Sequence, residues 1–307
     1  MIPDKLTNWL GYPVEPWIPS KGLPDYKNKI YRLEYDWDNE IPLHELMEAF
    51  FAGEGVEETP GLSLGNPYDT AEDFGSEVAF LVENKDKLPK LRALFLGEMD
   101  QEDSEISWIE NGAVGPVLNA FPGLEDLRIR GGNGLTWEPS RHICIKKLII
   151  ETGGLSKSVL EGILESVMPE LEHLEIWLGT EEYGWDGNAM SVKPFLYDNP
   201  FPKLKYLGLK NCDHQNDIAR IASDAPVLDQ LEVLDLSCGT LQDSGGEALL
   251  GSERVKQLQK VDLHHHFMSD ELVAQFEASD LNVDVSGQEE ADDWGNGEMF
   301  YYTAVSE

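Results

Sequence analysis

The sequence predicts an α/β solenoid, with a parallel sheet on the concave face and helices on the convex face. Three observations predict it. A nine-residue phrase recurs almost register for register, at LPKLRALFL (Leu88–Leu96), FPGLEDLRI (Phe121–Ile129), MPELEHLEI (Met168–Ile176) and FPKLKYLGL (Phe201–Leu209). Its second leucine position returns at Leu33, Leu62, Leu94, Leu127, Leu148, Leu174, Leu207, Leu234 and Val261, in steps of 29, 32, 33, 21, 26, 33, 27 and 27 residues. Units of that size cannot bury a core alone and do so by stacking. Finally, 41% apolar and 26% charged residues suit a packed chain, not an acidic disordered one.

The elements follow in order. Residues 1–28 are rich in Pro, Gly and aromatics and are expected to cap the first repeat. Residues 29–285 hold about nine repeats and a terminal strand. In each phrase the apolar residues alternate, so one strand face is buried and the other looks outward. Between phrases, apolar residues fall at helical spacing, as in Leu43, Leu46, Met47 and Phe50, or Val159, Leu160, Ile163 and Leu164. Pro89, Pro122, Pro169 and Pro202 end the helix and set the turn into the strand. The step from Leu127 to Leu148 is too short for a helix, so Gly131–His142 is expected to be a loop. The 33-residue steps place extra length in rim loops, Glu98–Asn111 and Gly179–Ala189. Residues 286–307 form an acidic tail whose apolar end, Met299–Val305, is expected to fold back as a cap.

This phrase at these spacings resembles leucine-rich repeats of the ribonuclease-inhibitor-like type, over roughly Lys29–Val285. The resemblance implies an α/β leucine-rich-repeat solenoid, a horseshoe. Leu91–Met99, Glu105–Ile109 (EISWI), Leu174–Gly184 (LEIWLGTEEYG), Val233–Gly245, Asp262–Phe267 (DLHHHF) and Tyr302–Glu307 (YTAVSE) resemble one uncharacterised family of bacterial cytoplasmic leucine-rich-repeat proteins. That resemblance implies a cytoplasmic protein and brings no cofactor or catalytic residue.

Charge narrows the function. The chain has 23 Lys+Arg and 58 Asp+Glu, a formal net charge of −35. Phosphate backbones and anionic membrane surfaces would be repelled, so neither is an expected partner. No apolar run is long enough to span a bilayer, and the start lacks the apolar segment of a signal peptide. Cys144, Cys212 and Cys238 cannot all pair, which fits a reducing compartment.

Strand alternation names the outward residues. They carry both charge signs, with Phe95, Trp177 and Tyr206 among them, while Trp108, Trp137, Tyr183, Trp185 and Phe267 fall on the rim. Aromatics and Arg dominate binding hot spots, whereas most surface charges only solvate a sheet. The expected function is therefore non-enzymatic binding of a protein or peptide with a basic patch. Its contacts would be Arg128, Arg130, Trp177, Tyr183, Trp185, Tyr206, Asp235, Asp262 and His264. No cofactor is expected, and the oligomeric state stays open.

Two rivals come from other classes. His264–His266 beside Asp262 is a candidate metal or enzyme centre, since imidazole is the commonest metal ligand. An acidic nucleic-acid mimic would array carboxylates along one face. No P-loop, GxGxxG, GxSxG or HExxH pattern occurs. Cys212 sits where such repeats carry a buried small residue, and no base is evident for a reactive cysteine.

Overall fold

The computed structural model describes residues 2–67, 73–293, 295, 297 and 299–306. Within the acidic stretch read above, Trp294, Asn296 and Glu298 lie outside the described residues. Among the described residues twelve strands form one sheet in chain order. An antiparallel pair, β1 (Asn8–Trp9) and β2 (Tyr12–Pro16), starts it. All later neighbours are parallel: β3 (Ile30–Leu33), β4 (Gly61–Leu64), β5 (Ala93–Leu96), β6 (Asp126–Arg130), β7 (Lys147–Glu151), β8 (His173–Gly179), β9 (Tyr206–Cys212), β10 (Val233–Asp235), β11 (Lys260–Asp262) and β12 (Val283–Asp284). Among the described residues eight helices alternate with them: α1 (Leu43–Phe51), α2 (Gly75–Glu83), α3 (Gly115–Ala120), α4 (Lys157–Glu165), α5 (Ala189–Tyr197), α6 (Gln215–Ala222), α7 (Asp243–Leu250) and α8 (Asp270–Glu277). The chain is an α/β repeat with a solenoid-like order.

The leucine ladder sets the register. Leu62, Leu94, Leu127, Leu148, Leu174, Leu207, Leu234 and Val261 pair strand to strand. Their side chains share one core with the apolar faces of the helices. The first step departs from expectation: Leu62 pairs with Tyr31, and Leu33 with Leu64. The Ile30–Tyr35 segment lacks the Pro-x-Leu anchor of the full phrase, and a shift of two keeps the same residues on the core face. Between β6 and β7 there is no helix, as the short step predicts; single bridges join Glu110 to Asn133 and Arg141 to Val167.

The N-terminal segment caps the first repeat. β2 extends the sheet, and Trp17 and Tyr26 pack edge-on against Phe50. Turns leaving the strands are tight. Asn211, Cys238 and His265 take the left-handed conformation (φ 53°, 65° and 57°) at equivalent places in three successive repeats. Gly179 does so earlier (φ 81°), where an added Cβ would lie 1.9 Å from the Gly153 carbonyl oxygen. Among the described residues no helix is long and apolar enough to cross a membrane.

Candidate functional site

The outward face of the sheet is expected to be open, and much of it is not. The N-terminal segment crosses it. Arg130 donates to the Pro3 carbonyl (3.0 Å) and to that of Met99, and its Nε pairs with Glu151 (2.7 Å). Lys5 bridges Glu34 (2.8 Å) and Asp103 (2.6 Å), and the Leu6 N–H donates to Glu98 (2.5 Å). Trp9 donates to Asp126 (2.7 Å) under the Arg128 guanidinium, 5.1 Å from the ring centre.

The C-terminal segment returns along the strand ends. His265 Nε2 meets the Tyr302 carbonyl (3.1 Å), and the Ala304 N–H donates to the Cys238 carbonyl (2.8 Å). Asn211 clamps Val305 twice, its Nδ2 donating to the carbonyl (2.5 Å) and its Oδ1 accepting from the N–H (3.0 Å). The Ser107 hydroxyl donates to the Ser306 carbonyl. The two ends meet, for Ile2 and Val305 share an apolar cluster with Ile106 and Trp177.

Several expected contact residues are thereby corrected in position. Arg130 is 1% exposed and Trp177 3%. A large ring on a sheet face needs cover, and the chain's own termini supply it. Arg128 is half-buried, shared between Asp126 (3.2 Å) and Trp9. Trp185, expected on the rim, lies in the main core at 1% exposure, and Trp137 also turns inward, donating to Ser166 (3.1 Å). An indole in a rim loop still follows the apolar gradient when the neighbouring repeat offers a pocket.

Beside the covered part, β8 to β10 carry a polar network that reaches Trp177. His173 and Tyr206 stack at 3.9 Å. Lys210 sits between Glu175 and Asp235, 3.2 Å from each, and 5.2 Å from the Trp177 ring centre. The Tyr206 hydroxyl donates to Asp235 (2.5 Å), and Trp177 Nε1 to Glu175 (2.8 Å). Burial opposes ionisation of Glu175, yet His173, Lys210 and Trp177 hold its carboxyl below the usual range. Burial also opposes the Lys210 charge, but Glu175 and Asp235 raise its pKa. Burial, aided by both carboxylates, pushes the Tyr206 phenol up. Trp177, Tyr206 and Asp235 are thus brought together in one cluster, in which the Lys210 charge is shared by two carboxylates.

Tyr183 stays on the rim. With Thr180, Glu181, Glu182, Asp213 and Ser306 it faces the returning Phe300–Thr303 across a cleft of about 920 Å³. Its walls are acidic and aromatic, a setting that favours cations.

The crystal structure of a Bacteroides fragilis protein, a structural-genomics target with no activity in its name, matches this fold with a TM-score of 0.82. The two are 32% identical over 92% of this chain and 78% of the other. This chain belongs to that protein's family. No protein-family model and no curated protein matches it.

The histidine run diverges, so a His264–His266 ligand set is not assembled. His265 turns to Tyr302, and His266, fully buried, faces the Val285 carbonyl (2.8 Å). Among the described residues no group of three or more His, Cys, Asp or Glu is placed to hold a metal ion. His264 alone faces Asp262, Nδ1 to Oδ1 at 2.7 Å, while Lys260 holds the other carboxylate oxygen (2.6 Å). The opposite ring nitrogen lies 3.3 Å from Cys238 Sγ. Asp262 and Cys238 raise the His264 pKa to about 10. Burial works against the Asp262 charge, but His264 and Lys260 keep its pKa low. The base thought absent for a cysteine is therefore present. The signal was the 27-residue step: Asp235 pairs with Asp262, which sets Cys238 beside the turn that starts at His264.

Proposed function

We propose that the chain is a leucine-rich-repeat horseshoe that binds a basic protein or peptide at its rim, in a bacterial cytoplasm. The observation that carries this is the cleft between Glu181–Tyr183 and the returning Phe300–Thr303. Carboxylates of Glu181, Glu182 and Asp213 attract a cationic side chain, and the rings of Tyr183, Tyr301 and Tyr302 cover its methylenes. The residual acidity of the chain steers such a partner towards it. The leucine-rich-repeat reading rests on the ladder of paired leucines and on one strand and, in most units, one helix per repeat. The sheet face contributes its edge rather than its centre, because the termini already occupy the Trp177 and Arg130 positions.

An array of short peptides probed with the full-length protein tests the reading. Lys- and Arg-rich peptides should be retained and lose binding as salt rises. Equal retention of Asp- and Glu-rich peptides would refute it.

A further inference from the structure

We propose that Cys238 is a nucleophilic thiol, activated by His264 and positioned through Asp262, that takes an acyl group from an activated ester or thioester. This goes beyond the binding reading above and departs from the expectation of a chain without chemistry.

The geometry carries it. A thiol, an imidazole and a carboxylate lie in series, Sγ to Nε2 at 3.3 Å and Nδ1 to Oδ1 at 2.7 Å. That is the arrangement in which a base takes the thiol proton while a third group fixes the ring. Lys260 in turn orients Asp262. Cys238 sits at a left-handed turn where the strand ends. The equivalent Asn211 and His265 use their side chains to hold the C-terminal segment. Cys238 gives that segment only its backbone carbonyl, and its thiol turns to His264 instead. Cys238 is buried, 6% exposed as a residue, but the His264 side chain is 39% exposed, so the pair opens to solvent on the imidazole side.

Other chemistries fit less well. Metal binding lacks a further ligand among the described residues. Disulfide chemistry fits less well because the Cys238 sulfur turns to His264, all three cysteines are free, and Cys212 is buried with its sulfur accepting from the His214 N–H. Acyl transfer needs only the groups present. His264 Nε2 holds the proton that the thiol gives up, so the pair starts with a charged imidazole, and Cys238 Sγ bonds to the acyl carbon. The bond to the leaving oxygen or sulfur breaks, and His264 returns the proton to it. Water, deprotonated by His264, then cleaves the thioester, releasing the carboxylic acid and restoring the thiol. Cys238 and His264 are the catalytic residues; Asp262 and Lys260 are positioning residues.

The test uses full-length protein and p-nitrophenyl acetate. The expected result is a stoichiometric burst of nitrophenolate with the acetyl group on Cys238, absent in Cys238→Ser. Asp262→Asn should slow the burst at least about ten-fold and remove the downfield proton resonance of the His264 Nδ1–H. A burst unchanged in Asp262→Asn would overturn the role of Asp262. A competition inside the wild-type chain needs no variant: iodoacetamide should label Cys238 before the half-exposed Cys144. Labelling of Cys144 with Cys238 untouched, or acetylation equal in wild type and Cys238→Ser, would overturn the proposal.

Discussion

Asn211 offers the sharpest test of how the C-terminal segment is held. It is fully buried, it makes both backbone hydrogen bonds of Val305, and it adopts φ 53°. Asn211→Ala removes both bonds and a third, from Nδ2 to the Thr152 carbonyl (3.3 Å), each worth about 0.5–1.5 kcal/mol net. It also places a Cβ-bearing residue without a compensating amide in the left-handed region, at about 1–2 kcal/mol. The sum is a loss of about 2.5–6.5 kcal/mol. Asn211→Gly keeps the turn and loses only the bonds, so it should cost about 1.5–4.5 kcal/mol. Urea unfolding followed by tryptophan emission reads both, because Trp177 lies under Val305. Limited proteolysis should cut the released end first. An alanine variant within about 0.5 kcal/mol of wild type, with the end still protected, would refute the reasoning.

Three further outcomes follow from the same structure. Gly179→Ala should leave little folded protein, since its Cβ would strike the Gly153 carbonyl at 1.9 Å and its φ is 81°; normal yield and melting would contradict this. Leu207→Ala, at a fully buried ladder position, should cost about 2–5 kcal/mol in denaturant unfolding. His264 has a folded pKa of about 10 against an ordinary 6.5, so its contribution is complete below 6.5 and is lost as pH rises through 10. Unfolding free energies measured across that window should fall more steeply for wild type than for Asp262→Asn; parallel curves would contradict the pairing.

The ladder was legible because four repeats write it in one full phrase and most others in a shortened form. Leu94, Leu127, Leu148, Leu174 and Leu207 had to share a face once the period was seen, and their pairing follows. The cover over the sheet was not legible. Alternation says which way Trp177 points, not what lies on top of it, and the covering residues Ile2 and Val305 are far away in sequence. The burial of Trp185 was hidden for a related reason: a rim loop has no period to mark its core side. The Cys238–His264 contact lies between adjacent repeats, so it needs the exact register of two strand ends rather than their approximate spacing. Asp262 and His264, two residues apart where β11 runs into its turn, were readable together.

The central claim is that the acidic, aromatic rim cleft binds a basic partner. Its most direct test is the dissociation constant of the best Lys- or Arg-rich array peptide for wild type and for the double variant Glu181→Lys, Glu182→Lys. Both carboxylates line the cleft and stand exposed on the rim, so the fold should persist. Reversing two charges should weaken binding by about ten-fold or more at low salt, with the difference shrinking as salt is added. The same dissociation constant for both proteins at every salt concentration would contradict the account.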